Sequence, residues 1–337
     1  MNDDLKLLEA TAGDIFASYQ DRPGLWEELE AGGLTGIGIP EEAGGSGGDA
    51  EQAALILRVA GYHAAEIPIA ETLWLAGPLL AAAGLPVPAG PLTAAEGEAG
   101  EVTLERDGDN WSLHGTLKRV PWARGAVRIV VVVGGRVCSV DPAAATLTEH
   151  SNLAGEPRDD VSFEAVTLGA EQVAELPDSL PVRLRGALAR SIQLSGAAQR
   201  ALEHSLRYAG ERKQFGRPIG KFQAIQQYLA EIAGEVALLE LSTRSAVAAL
   251  TDPLADATTA IAAARTNACR AAGVVTELAH QVHGAIGTTY EHDLRRSTLR
   301  IWSWREEYGN ETQWAGVVGL LAAAAQDPWH AITGTTA

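Results

Sequence analysis

Apolar residues recur every three or four positions from residue 4 to about 82, first as Leu5, Leu8, Ile15 and Phe16 and later as Ala53, Leu55, Ile56, Val59 and Ala60. That spacing places them on one face of a helix and predicts a helical amino-terminal region. Between the two patterns, the glycine-rich stretch from Gly36 to Gly45 lacks GxGxxG or Walker spacing and contains Glu41 and Glu42, so it reads as a turn and not a phosphate loop. Gly84-Leu85-Pro86-Val87-Pro88-Ala89-Gly90-Pro91 then breaks the helical pattern. Residues 101 to 170 alternate short β-branched runs, such as Val102-Thr103-Leu104 and Ile129-Val130-Val131-Val132-Val133, with turn signals such as Asp107-Gly108-Asp109-Asn110 and Gly134-Gly135, which predicts a small antiparallel β domain.

Helical spacing returns at about residue 181. Phe222, Ile225, Leu229, Ile232, Val236, Leu239, Val247 and Leu250 predict an amphipathic helix of roughly seven to eight turns. The alanine-rich stretch from Ala255 to Ala279 predicts a second long helix with close packing, and Thr251-Asp252 with Pro253 supply a break and cap between the two. The fold class is therefore mostly α with a central small β domain, divided at 1–90, 91–178 and 179–337.

Composition narrows the function. In 337 residues nearly half are apolar, enough for a sizeable core. A formal charge of −17 with scattered Lys and Arg argues against nucleic acid and against anionic membrane surfaces. Cys138 and Cys269 have no metal-ligand spacing and suit neither a disulfide scaffold nor a zinc site, so a reducing cytoplasm is expected. The chain opens on Asp3 and Asp4 with no basic or apolar leader, and no apolar run reaches bilayer length, so no targeting signal or span is expected.

The chemistry concentrates in Glu211-Arg212-Lys213-Gln214-Phe215-Gly216-Arg217-Pro218-Ile219-Gly220 and the following Phe222-Gln223-Ala224-Ile225-Gln226. Arg212 offers a planar fork for a pyrophosphate, Gln214 an amide for a ribityl or phosphate group, and Phe215 a flat apolar face. The same residues would also serve as a solvated polar corner between helices. The stretch closely resembles the RKxFGxPIxxFQxxQ signature of the acyl-CoA dehydrogenase family, flavoproteins that desaturate acyl-CoA thioesters between the α and β carbons. The resemblance implies FAD as cofactor, and implies that Arg212, Gln214 and Phe215 reach the FAD of a neighbouring subunit.

Gln281-Val282-His283-Gly284-Ala285-Ile286-Gly287 is similar to the family's QxxGGxG turn, with Ala285 where the second glycine is usual. It implies that Gln281, Val282, Gly284 and Ala285 meet the adenosine and pyrophosphate end of that FAD. The segment around Glu41 resembles the family's PExxGG loop, and Asp107 to Val133 resembles the strand pair beneath the flavin ring. The resemblance spans essentially the whole chain and implies the acyl-CoA dehydrogenase fold: amino-terminal helical domain, middle antiparallel β domain, carboxy-terminal four-helix bundle.

The family's catalytic base, a Glu, comes either from just before the glycine of a YEGT-type loop or from one turn into the first long carboxy-terminal helix. Here Glu306-Glu307-Tyr308-Gly309 puts Tyr308 at the first place, a phenol of ordinary pKa near 10 and a poor base at neutral pH. The second falls at Gly186, beside Arg185. Glu306 and Glu307 read as solvated helix-end carboxylates paired with Arg305 or Arg300, although a one-residue shift would bring Glu307 to the catalytic position. Pro91 to Gly97 stands where a TEPxAGSD loop would hold the isoalloxazine, and Arg119-Val120-Pro121-Trp122 replaces an aromatic-Ile-Thr-Asn strand. His280, His283 and His292 read as polar loop residues, since no Cys or carboxylate completes a metal set.

These departures resemble the short, degenerate subunit of heteromeric α2β2 acyl-CoA dehydrogenases that act on steroid side-chain thioesters. They imply a cytoplasmic enzyme subunit with no catalytic residue or metal of its own. A longer partner would supply the catalytic Glu, and an electron-transfer flavoprotein is a possible acceptor. Two alternatives stand beside this: a self-sufficient homotetramer using Glu307, and a flavin-free scaffold or CoA-ester binding protein.

Overall fold

The computed structural model describes residues 3–20, 22–97, 100–177, 181–252 and 255–328. The chain forms two compact units, one of Met1–Ile56 and Glu66–Gly186, the other of Leu57–Ala65 and Ala187–Ala337. In the first, α1 (Asp3–Ser18) buries Leu5, Ala12 and Phe16, and its first-turn Asp3 and Asp4 suit the positive end of the helix dipole. Next come α2 (Leu25–Ala31) and α3 (Ala50–Tyr62), then a fully buried π-helical segment, Glu71–Ala76, that runs into α4 (Gly77–Ala82). The glycine-rich stretch is a turn, as expected: Gly38 N donates to Gly47 O, Gly47 N to Ile39 O and Ser46 Oγ to Gly33 O. Those N–H groups are spent on the chain itself.

The β region is two four-stranded sheets. One runs β1 (Leu92–Glu96), β4 (Arg128–Val133), β5 (Arg136–Val140), β8 (Val173–Glu175); the other runs β2 (Val102–Asp107), β3 (Asn110–Pro121), β7 (Arg158–Leu168), β6 (Thr146–Thr148). Asp107 pairs with Asn110 across the expected hairpin turn. Alternating inward residues, Leu113, Leu117 and Phe163 from one sheet and Ile129, Val131 and Cys138 from the other, form one core. The pairings are antiparallel except that β1 lies parallel to β4, with Leu92 opposite Arg128. Between those two strands the chain spends β2 and β3 in the other sheet, so it returns to β1 travelling in the same direction.

The second unit is built on the greater part of α5 (Val182–Glu211), then a two-residue hairpin of β9 (Lys213–Gln214) and β10 (Arg217–Pro218), then α6 (Gln223–Ala248), α7 (Ala257–His283), α8 (Asp293–Arg305) and α9 (Glu311–Ala324). At 26 residues, α6 makes just over seven turns. Its Ile232, Val236 and Leu239 meet Ala197 and Ala201 of α5, Ala268, Ala272 and Val275 of α7, and Ile301 and Trp304 of α8. The small alanines let the long helices approach closely. The start of α7 differs from expectation: Asp256 accepts from Thr258 N and Thr259 N, so it is the cap in place of Thr251-Asp252. A capping side chain must sit immediately before the first helical residue, which is Ala257; Pro253 lies outside the described residues.

The end of α3 crosses α5 with backbone against backbone. A methyl on Gly61 would lie 2.1 Å from Gln193 O, and one on Gly196 2.0 Å from Arg58 O. Around this crossing, Arg58 Nη1 donates to Gln199 Oε1 (3.0 Å), and Tyr62 Oη receives Arg200 Nη1 (3.0 Å) and donates to Glu203. Gly196→Ala should therefore lower stability by about 1–3 kcal/mol, since overpacking here pushes on backbone and not on a movable side chain. Urea denaturation measures this, and an unchanged midpoint would refute the crossing.

Candidate functional site

Two segments converge at one end of the helical unit. The first is the β9–β10 hairpin, whose two-residue turn holds Phe215 at φ 49° and Gly216 at φ 79°, both in the left-handed region that a type I′ turn needs. Arg212 N donates to Tyr208 O, and Ile219 N to Arg212 O, which fixes the hairpin to the end of α5. Val282 and Ala209 meet Ile219 in a small apolar cluster flanked by Tyr208, Phe222 and Ile225. This cluster brings the second segment, the turn Gly284–Thr288 at the end of α7, to the hairpin.

At this corner Phe215 is 91% exposed, touched edge-on by Phe222. Arg212 and Gln214 are exposed, and their side chains make no hydrogen bond or ion pair among the described residues. A strained, exposed aromatic beside two unspent donors is what a flat anionic ligand would occupy. Gln281, Gly284 and Ala285 are also exposed, whereas Val282 is buried and has only its backbone to offer. Ala285 is not at positive φ, so its methyl is accommodated without strain.

The loop after α8 departs from the expected solvated pair. Glu306 does lie near Arg305 (3.6 Å) and is mostly exposed, but Glu307 accepts from Arg190 Nε at 2.7 Å. Arg190 is buried on α5 and also donates to Gln193 Oε1 at 2.5 Å. Sequence spacing could not show this pairing, because the partners are 117 residues apart. Arg265 lies beneath the same loop, and its Nη2 donates to the carbonyls of Trp304, Arg305, Glu307 and Gly309. Tyr308, at φ 55°, holds the glycine-adjacent place, and its carbonyl accepts from Trp314 Nε1. The helical alternative offers a buried Gly186 next to Arg185, whose Nε is buried without a hydrogen-bond partner among the described residues.

In the β region, Pro91–Gly97 carries the edge strand β1, and Thr93 Oγ1 donates to Pro121 O at 2.6 Å. Around Arg119–Trp122 the chain satisfies itself: Asp160 accepts from Lys118 Nζ and Arg119 N, and the fully buried Asp159 accepts from Arg124 N, Nε and Nη2. The Lys118 ammonium, first among the causes, holds the Asp160 carboxyl below its usual pKa. This stretch, closed on its own ion pairs, does not fit an isoalloxazine ring, whereas the Arg212–Phe215 corner fits the nucleotide end of FAD.

The histidines are not polar loop residues. His283 is buried and stacks on Tyr208 at 4.6 Å, and His292 meets it edge-on at 4.9 Å. His204 on α5, which sequence reasoning passed over, completes the cluster 6.2 Å from His292.

Residues 184–311 match the family profile described as acyl-CoA dehydrogenase, C-terminal domain, and residues 8–85 the corresponding N-terminal domain. The chain is 31% identical to acyl-CoA dehydrogenase IpdE2 of Mycolicibacterium smegmatis over 81% of its own length and 79% of that protein. It is 27% identical to acyl-CoA dehydrogenase FadE28 of Mycobacterium tuberculosis over 87% and 91%. Among solved structures, it superposes on the ChsE4-ChsE5 complex from Mycobacterium tuberculosis with a TM-score of 0.88 at 24% identity, covering 96% of this chain and 98% of that one. The Tcur3481-Tcur3483 steroid ACAD matches with a TM-score of 0.85 at 27% identity, covering 95% and 98%. The fold and the corner thus define a flavin-dependent oxidoreductase acting on acyl-CoA thioesters. The chain belongs to the acyl-CoA dehydrogenase family, whose cofactor is FAD.

Breaking the Arg190–Glu307 pair should be costly. Glu307→Leu alone leaves a buried guanidinium without its carboxylate and should lose about 3–5 kcal/mol, while Arg190→Met with Glu307→Leu should recover most of it. Chemical denaturation of both variants tests this; equal losses from the single and double changes would show that the pair is not coupled.

Proposed function

We propose that this chain is the shorter, degenerate subunit of a heteromeric α2β2 acyl-CoA dehydrogenase, working beside a longer subunit that supplies the catalytic Glu. One observation carries the reading: neither family base position presents an available carboxylate, and Glu307 is held against buried Arg190 at 2.7 Å. A carboxylate engaged by a guanidinium must give up a charge-assisted hydrogen bond before it can take a proton from substrate. The same ion pair speaks against a self-sufficient homotetramer using Glu307. The unspent donors of Arg212 and Gln214 beside exposed Phe215 speak against a flavin-free scaffold.

Desaturation removes a proton from the α carbon, and FAD, when bound, accepts the hydride from the β carbon. The part assigned to this chain is to hold the nucleotide end of FAD across a subunit interface. Arg212 offsets pyrophosphate charge, Gln214 donates to a polar oxygen, Phe215 covers an apolar face against water, and Gln281 with the backbone of Val282, Gly284 and Ala285 frames the adenosine side. The related heteromeric structures support the partner arrangement, and the steroid ACAD relative favours a steroid side-chain thioester as substrate. Buried, free Cys138 and Cys269 suit a reducing cytoplasm, and among the described residues no helix is long and apolar enough to cross a membrane. An electron-transfer flavoprotein is the proposed acceptor.

The isolated chain should bind little FAD, and about one FAD per heterodimer should appear when the longer partner is co-expressed. Flavin absorbance against protein concentration measures this; a stoichiometrically yellow chain on its own would sink the proposal. Within the complex, Arg212→Ala should weaken FAD retention roughly ten- to hundredfold, with Arg212→Lys restoring only part, because an ammonium lacks the fork. Glu307→Gln, which keeps an acceptor for Arg190, should hold turnover within a few-fold, whereas loss of a general base costs about 10²–10⁴.

A further inference from the structure

The histidine cluster adjoins both halves of the cofactor corner through Tyr208 and His283, and its hydrogen bonds fix which nitrogen of each ring donates or accepts. His292 is the N-cap of α8: its Nδ1 accepts from Leu294 N at 3.1 Å, so the ring's proton sits on Nε2. His204 Nδ1 lies 2.8 Å from Arg207 Nη2, and a guanidinium only donates, so this nitrogen is also an acceptor. His283 Nδ1 donates to Ala279 O at 2.8 Å. Thr298 Oγ1 gives its proton to Arg295 O and so receives His280 Nε2–H at 3.2 Å, leaving His280 Nδ1 as a buried lone pair without a partner among the described residues.

A second proton has no good place in this arrangement. On His204 it would put an N–H against the Arg207 guanidinium. The surroundings do not compensate. From α5 the cluster faces Arg200, Arg207 and Tyr208, from α7 its own His280 and His283, and from α8 a single carboxylate, Asp293. No three of these groups converge with metal-ligand geometry among the described residues.

We infer that His204 and His283, packed with His292 and Tyr208, form a proton-sensitive latch that holds the turn between α7 and α8 against the end of α5 and opens on acidification. The covalent neighbours give the latch its reach. Arg212 N is bonded to Tyr208 O one turn beyond the stack, and Gly284–Thr288 follows His283 directly. Opening would therefore separate the hairpin from the turn and release the nucleotide end of the cofactor, a consequence that rests on the function proposed above.

The direction of the pH effect follows from the burial. Desolvation, first among the causes, pulls His204 down to about 4 and lowers His283 and His280. In an opened or unfolded chain these rings titrate near 6.5. The open state then binds more protons between those values, so the contribution of the closed cluster is full above about pH 6.5 and declines as pH falls toward 4.

The test is hydrogen exchange by the whole chain, without cofactor, at pH 7.5 and 5.5 after correction for intrinsic rates. Amides of residues 284–294 should lose at least about tenfold of their protection at pH 5.5, while those in the middle of α7 keep theirs. His204→Gln keeps an acceptor oxygen for Arg207 but cannot take up a proton, and it should hold most of that protection at pH 5.5; His292→Ala, which removes the cap of α8, should lose it at both pH values. Equal protection of residues 284–294 at both pH values in the parent chain would overturn the latch, as would an acid loss in His204→Gln as large as in the parent, or one shared equally by α7. In the co-expressed complex, flavin release should follow the parent's opening and move to lower pH in His204→Gln. Flavin retained while the turn opens would overturn the cofactor consequence and leave the latch.

Discussion

A guanidinium at 0% exposure organises the carboxy-terminal half of the helical unit. Arg265 is charged, buried and without a carboxylate of its own at hydrogen-bond distance; it is accommodated because the end of α8 and the loop after it turn four carbonyl oxygens toward it. The negative end of a helix dipole supplies part of the compensation, and direct hydrogen bonds supply the rest. The shape of the loop follows from this constraint. Residues 304–309 must keep their carbonyls converging on one point, which leaves Tyr308 at positive φ and fixes the place from which the Glu307 side chain leaves the backbone.

Arg190 then finishes what Arg265 begins. One buried arginine orders the main chain of the loop, and another engages its carboxylate, so the loop resembles a wall more than a catalytic element. Glu306, the neighbouring acid, is left mostly exposed beside Arg305. The corner at the other end of the unit shows the opposite treatment: Arg212 and Gln214 are left unspent, and Phe215 is held outward by a turn at a cost in backbone strain. The helical unit thus spends its polar groups on internal bonds in one loop and leaves donors unspent at the other corner.

Much of this fold was legible because period and punctuation agree. Leu5 to Phe16 and Phe222 to Leu250 step by helical intervals, and Asp107-Gly108-Asp109-Asn110 and Gly134-Gly135 fall where hairpins turn. The hairpin at Arg212–Pro218 stood out through its resemblance to the family signature, since its residue types alone would equally suit a solvated polar corner. What stayed hidden was non-local. The Arg190–Glu307 pair joins residues 117 apart, His204 meets His292 only through tertiary packing, and β1 beside β4 depends on a detour through another sheet. The cap of α7 was missed for a local reason: Thr251, Asp252 and Asp256 all have suitable chemistry, and only the first helical residue decides among them.

The glycine crossing of α3 and α5 bears on how this architecture can be divided. Residues 57–65 belong to the helical unit although more than a hundred residues of other structure separate them from Ala187 in the chain. Their contact is main chain on main chain, so a detached carboxy-terminal piece would show water a bare groove along α5 at Gly196, with the Arg200 and Gln199 side chains cut off from Tyr62 and Arg58. A cut near residue 179 would leave residues 57–65 on a different piece from the α5 against which they pack.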